Sequence, residues 1–232
     1  MKIIARSLFA AALAGISAPT LAADLSTPAP AVVAPAAAAP ILNSIGIEVS
    51  PEFYLSPAGV PGAIDDGYIK GSYSRSLPGG FSWGASIQYT ERTSSGSTNR
   101  YQLQPETTLG YTIKLGPTFS IPLSAGVGLL YNNVGYAPVT TSAGSFGYYV
   151  FNAGLNVKLD SHWTWNAISA RYRNAFAGKW VTPKLGTGVT YTIDPHNSVY
   201  VNGGYAWQTQ NVAGYPLEPN KWNIALGYKY GF

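Results

Sequence analysis

The chain has 232 residues, of which only 10% are charged while 13% are aromatic, and it carries a formal charge of +4 at neutral pH. Soluble domains hold about 25% charged residues, and disordered chains combine high charge with few aromatics, so neither class fits. The lack of cysteine excludes disulfide scaffolds, thiol catalysis and Cys-ligated metals, and fourteen scattered Lys and Arg do not form the basic stripe of a nucleic-acid binder.

Residues 1–22 have the pattern of a cleaved secretory signal peptide. Lys2 and Arg6 form a basic start, Leu8 to Ile16 is apolar, Pro19 breaks the run, and Thr20-Leu21-Ala22 offers small residues for cleavage. The apolar run is too short to cross the ~30 Å of a bilayer core. Removing this segment lowers the charge from +4 to +2, since Lys2 and Arg6 leave with it. Residues 23–42 are Ala/Pro-rich, with Pro28, Pro30, Pro35 and Pro40 blocking a helix. They read as a flexible linker on the export side, with an ordered plug inside the fold as the alternative.

From residue 43 onward the apolar positions recur with period two, the signature of strands with one apolar and one polar face. Ile45, Ile47, Val49, Phe53 and Leu55 alternate with Glu48, Ser50 and Glu52. A weaker strand runs from Tyr68 to Leu77. Phe81 to Tyr89, Tyr101 to Ile113, Phe119 to Tyr131, Tyr149 to Val157, Leu185 to Ile193, Val199 to Trp207 and Trp222 to Phe232 follow the same rule. Trp163 to Arg173 slips parity near Ala167. A bulge there restores a strand, whereas the lack of internal Gly or Pro admits a helix over 162–177. The connections alternate in length. Pro78-Gly79-Gly80, Gly116-Pro117, Asp160-Ser161 and Asp194-Pro195-His196-Asn197 are short turns, and long loops cover about 57–67, 92–99, 132–144, 174–181 and 210–219.

The polar face is Ser, Gly, Thr, Asn and Gln, which suits the crowded inside of a barrel better than a water-facing surface. The apolar face bears aromatics in two bands. Tyr89, Tyr101, Tyr131, Trp207 and Trp222 stand towards the long loops, and Trp83, Tyr111, Trp163, Tyr191, Tyr228 and Tyr230 towards the short turns. Such girdles mark membrane interfaces, and in lipid only a closed barrel pairs every strand amide. The expected fold is all-β: a transmembrane up-and-down antiparallel barrel over 43–232, of ten strands or else eight. Pro51, Pro105 and Pro122 fall inside predicted strands and require local interruptions of the ladder.

In architecture, and most specifically in its last strand Trp222-Asn-Ile-Ala-Leu-Gly-Tyr-Lys-Tyr-Gly-Phe232, the chain resembles the outer-membrane β-barrel proteins of Gram-negative bacteria. The resemblance implies an outer-membrane location after export, a periplasmic linker, contact with outer-membrane lipid, and a terminal Phe232 read by the barrel-assembly machinery. A monomer is expected.

Barrel enzymes of this superfamily use His as a general base, but His162 and His196 both fall in short turns, away from the long loops. No enzyme, cofactor or metal is therefore expected, and a hydrolase ranks last. The polar parity collects Glu48, Glu52, Lys70, Glu106, Lys158, Lys184 and Lys229, with Arg171 joining if the bulge forms. These are the lumen-lining candidates, either as ion pairs filling a narrow interior or as charges lining a narrow porin-like passage for ions or small hydrophilic solutes. The other reading is a surface adhesin or antigen acting through its long loops, with Tyr136, Trp180 and Tyr215 as their aromatics.

Overall fold

The structure, a computed structural model, describes residues 41–55, 61–92, 100–132, 145–177, 180–207, 209–210 and 220–232. The signal peptide, nearly all of the linker, and most of the long loops, with Tyr136 and Tyr215, lie outside the described residues.

Twelve strands follow one another: β1 (Asn43–Leu55), β2 (Pro61–Ser76), β3 (Phe81–Arg92), β4 (Arg100–Leu115), β5 (Phe119–Asn132), β6 (Phe146–Lys158), β7 (Trp163–Ala175), β8 (Trp180–Val181), β9 (Lys184–Thr192), β10 (Asn197–Ala206), β11 (Thr209–Gln210) and β12 (Lys221–Gly231). β8 and β11 are two-residue outposts that pair with each other, β8 preceding β9 across Thr182-Pro183 and β11 following β10. The remaining ten form the wall. Neighbours in sequence pair antiparallel, β7 pairs with β9, and β12 pairs with both β10 and β1, so the sheet closes on itself. The seam is held to its last residue: the Asn43 N–H donates to the Phe232 carbonyl at 2.9 Å, and the Phe232 N–H returns to Asn43 at 2.8 Å. No described helix is long and apolar enough to cross a membrane, which bears only on helical spans.

Parity sorts the side chains as the period-two pattern requires. Ile47, Ile87, Leu109, Val127, Leu129, Phe151, Ile168, Val201 and Ile224 are all exposed on the outer face. A water-soluble protein buries such residues. An apolar outside around a polar inside is the arrangement a bilayer demands.

β7 is a strand, not a helix over 162–177. Its partners shift by one residue at Ala167: Asn166 pairs with Asn156, but Ile168 with Leu155. The bulge puts Trp163 and Trp165 on the same outer face as Ile168, Ala170 and Tyr172. The loop expected over 57–67 is shorter than the sequence suggests, since β2 begins at Pro61 and the Asp66 backbone pairs with both Glu52 and Arg92. Ladder pairing on both sides of Asp66 overrides the turn preference of Asp65-Asp66, and Asp65 falls in the register shift between the partners of Glu52 and Phe53.

Each strand proline interrupts one ladder only. Pro51 pairs with Gly67, while the β12 register skips from Val49 to Glu52. Pro105 keeps Ile87, while β5 pairing skips from Leu103 to Glu106. Pro122 keeps Thr112, while β6 pairing skips from Ser120 to Leu123. A proline has no N–H to donate, so the break falls on a single side. At Pro51 the gap is patched. The Ser50 hydroxyl donates to the Ile224 carbonyl at 3.0 Å and accepts from Asn223 Nδ2 at 2.8 Å. Ser50→Ala should therefore cost about 1–3 kcal/mol, read as a lower unfolding midpoint in denaturant, because a buried carbonyl and amide lose a partner.

Candidate functional site: the lumen

The inner face of the wall carries small residues beside a few large ones, and the two are matched. Tyr148 lies directly across from Gly128, and Tyr200 across from Gly227. A Cβ on either glycine would fall inside the facing tyrosine ring. The glycines thus let two inward tyrosines lie flat against the wall, with their hydroxyls reaching the lumen carboxylates. Tyr200 and Tyr68 donate to the two oxygens of Glu48 at 2.9 and 2.7 Å. Tyr148 donates to Glu106 Oε2 at 3.1 Å.

Glu106 also meets Arg173 at 2.7 Å. The same guanidinium donates to Gln104 at 3.1 Å and stands over the Tyr148 ring, 5.2 Å from its centroid. Lys221 reaches Glu52 at 2.6 Å. Three lumen carboxylates from β1 and β4 are thus engaged by hydroxyls or cations from five other strands. Buried Thr90, Gln102 and Asn223 surround them. Toward the long loops the interior turns apolar: Leu130, Tyr148, Val150, Ala175 and Trp180 form a cluster, with Phe146 against it. Trp180, expected in an outer loop, is buried in this cluster and packs on Phe146 and Tyr148 with ring centroids 5.1 and 5.3 Å apart.

Of the candidate lumen residues, Glu48, Glu52, Lys70, Glu106, Arg171 and Lys184 share the middle of the lumen. Lys158 and Lys229 are exposed at the short-turn end. Arg173 and Lys221 belong to the same cluster and were not among the candidates, nor were Tyr68, Tyr148 and Tyr200. A tyrosine at a polar-parity position was the available signal for all three.

The outer aromatics make ring contacts in two groups. Tyr89, Tyr101 and Tyr131 follow one another round the long-loop end, where Phe53 also stacks on Trp222 and Tyr205 meets Trp207. Tyr73 meets Trp83, Phe81 meets Tyr111, Trp163 meets Tyr191, and Tyr230 stacks on Phe232 at the short-turn end, where Tyr228 donates to Asn197.

Both histidines sit in the same turn device. Asp160 Oδ1 accepts the N–H groups of His162 and Trp163, and Asp194 Oδ1 those of His196 and Asn197. His162 Nδ1 lies 2.8 Å from the Thr192 carbonyl, and its own carbonyl accepts the Thr192 N–H at 2.8 Å. His196 brackets Gly231 identically, at 2.7 Å in each direction. A carbonyl cannot donate, so both rings carry a proton on Nδ1, and the two turns clip the ends of β9 and β12, the wall neighbours of β7 and β10. The Trp163 and His162 amides hold the Asp160 carboxyl below its ordinary value, and the Asn197 side chain and His196 amide do so for Asp194. A carboxyl lowered on folding stabilises above its unfolded value of about 4, and this is lost as pH falls through the lower folded value. Asp160→Ala with Asp194→Ala should flatten the acid side of the stability profile below about pH 4 and leave its slope near neutrality unchanged. Unfolding midpoints measured across that range check it.

No protein-family model matches the chain, and no curated protein matches it. Among solved structures its neighbours include small outer-membrane β-barrel proteins. The NanC porin is 10% identical, with 81% of this chain and 100% of that chain covered at a TM-score of 0.45. Neisserial surface protein A is 10% identical, with 82% and 97% covered at 0.42. Ail, the attachment invasion locus protein of Yersinia pestis, is 13% identical, with 82% and 97% covered at 0.38.

Proposed function

We propose that this chain is an integral outer-membrane β-barrel whose narrow lumen serves as a structural, porin-like passage for ions or small hydrophilic solutes. The observation that carries the reading is the division of the lumen. Its short-turn half is open, with inward Ser72 and Ser169 exposed, whereas Tyr148, Glu106 and Arg173 cross the other half. The paired cluster is then the constriction, and Tyr148 is its bulkiest part. Short turns at one end of the barrel and long loops at the other support a reading with the turns on the periplasmic side and the loops outside.

Planar-bilayer recording tests this. The folded protein should give small single-channel currents, and Tyr148→Ser should enlarge them. If both proteins are silent, although gel mobility before and after heating shows both folded, the lumen is filled and the passage is refuted.

A further inference from the structure

The lumen charges do not balance locally. Of the cations in the middle of the lumen, Arg173 has Glu106 and Lys221 has Glu52. Lys70 stands opposite Glu48 in the β1–β2 register. Arg171 and Lys184 remain, and they are direct cross-strand partners on β7 and β9, both projecting inward. Like charges in that position repel, and no wall residue separates them.

Nothing in the register relieves the pair. The other neighbour of Arg171 is Asn152, an uncharged amide whose nitrogen donates to Ser124 at 2.9 Å, and the other neighbour of Lys184 is Ala206. Among the described residues, no carboxylate oxygen lies within ion-pairing distance of Lys70, Arg171 or Lys184. Arg171 Nε is buried and has no hydrogen-bond partner. An arginine keeps its charge at any working pH, and Glu106, whose charge it feels, is already paired with Arg173, so an anion from outside would complete the balance at Arg171. The Lys184 stem lies against the bare backbone of Gly204, and the inward Ser169 on the short-turn side of Arg171 is exposed.

We infer that the lumen holds an anion site between Arg171 and Lys184, with Lys70 facing it, which takes a small oxyanion such as sulfate, phosphate or a small carboxylate. A guanidinium fork opposite an ammonium suits two oxygens of one tetrahedral or planar anion. The inference rests on the barrel and its closed lumen, not on conduction.

The experiment uses the full mature chain folded in detergent micelles, with inorganic sulfate as the probe and sodium chloride at matched ionic strength as the reference. Sulfate should raise the thermal midpoint saturably where chloride does not. Lys184→Gln keeps most of the side chain and should weaken the apparent affinity by about tenfold or more. Arg75→Gln removes the same charge from the outer face, where Arg75 is exposed, and should leave the affinity unchanged. If Arg171→Gln fails to fold, Lys184→Gln alone decides. The inference is overturned if the shift follows ionic strength whatever the anion, or if Lys184→Gln binds sulfate as the parent does. It is equally overturned if Arg75→Gln weakens binding as much as Lys184→Gln. Saturable binding by an electrically silent protein would uphold the site and remove the passage.

Discussion

Arg173→Ala should destabilise the barrel by about 3–5 kcal/mol. The guanidinium satisfies Glu106 and Gln104 at once and covers the Tyr148 ring. Its removal leaves a carboxylate among buried side chains with only a tyrosine hydroxyl, and opens a space beside a ring that has no exposure of its own. Glu106→Gln should cost less, because an amide oxygen still accepts from Arg173 and no anion is stranded. The double variant Arg173→Met with Glu106→Leu should recover much of the loss, since a packed apolar pair removes both desolvated charges. Equilibrium unfolding in urea measures all three. If Arg173→Ala unfolds at the parent midpoint, the cluster is not a closed network.

The second large effect lies on the opposite face. Val201 is half exposed in the middle of β10 and pairs with Val189 and Leu226, both also exposed. On a soluble protein an exposed Val→Arg change stays within about 0.5 kcal/mol. At the middle of a bilayer it costs about 2–4 kcal/mol, falling to about 0–1 near the interface. Val201→Arg should therefore be severe, and Leu159→Arg mild, although Leu159 is the more exposed of the two in the short β6–β7 turn. Folding free energies in phospholipid vesicles measure the contrast. Equal small costs at both sites would mean that no lipid covers β10.

Much of the fold was legible because a strand's period of two is local. The alternation of Ile45, Ile47 and Val49 with Gly46, Glu48 and Ser50 fixes both faces without knowledge of any partner. The turns were legible too: Gly79, Gly80 and Gly116 adopt positive φ, which their flanking strands demand of a two- or three-residue reversal. The start of β2 was hidden, because Asp65 and Asp66 carry turn chemistry and it is the pairing of Asp66 with both β1 and β3 that holds the strand extended there. The helix alternative for β7 failed for a similar reason. Trp163 to Arg173 lacks breakers, and what makes it a strand is the unpaired edge of β6 and β9 on either side.

The lumen was legible in outline and not in detail. Parity placed Glu48, Lys70, Glu106, Arg171 and Lys184 inside, yet parity says nothing about which of them meet. Partner choice depends on the tilt and stagger of the closed wall, which bring Arg173 of β7 to Glu106 of β4 across the lumen. The inward tyrosines were missed because aromatics were read as outer girdle residues. Their true counterpart was the glycine across the strand, as at Gly128 and Gly227. Trp180 went the same way: an aromatic near a long loop turned out to cap an apolar cluster inside the barrel.

The central claim is that the aromatic face meets lipid while the inside does not, and tryptophan quenching tests it most directly. Trp163 and Trp165 are exposed on the outer face, whereas Trp180 is buried within the wall. Single-tryptophan variants retaining Trp163, Trp165 or Trp180 would be folded into vesicles of brominated phospholipid. The structure predicts strong quenching of Trp163 and Trp165 by bromine on the acyl chains, and little quenching of Trp180. Quenching of Trp163 and Trp165 by aqueous acrylamide alone, with none from brominated lipid, would contradict it.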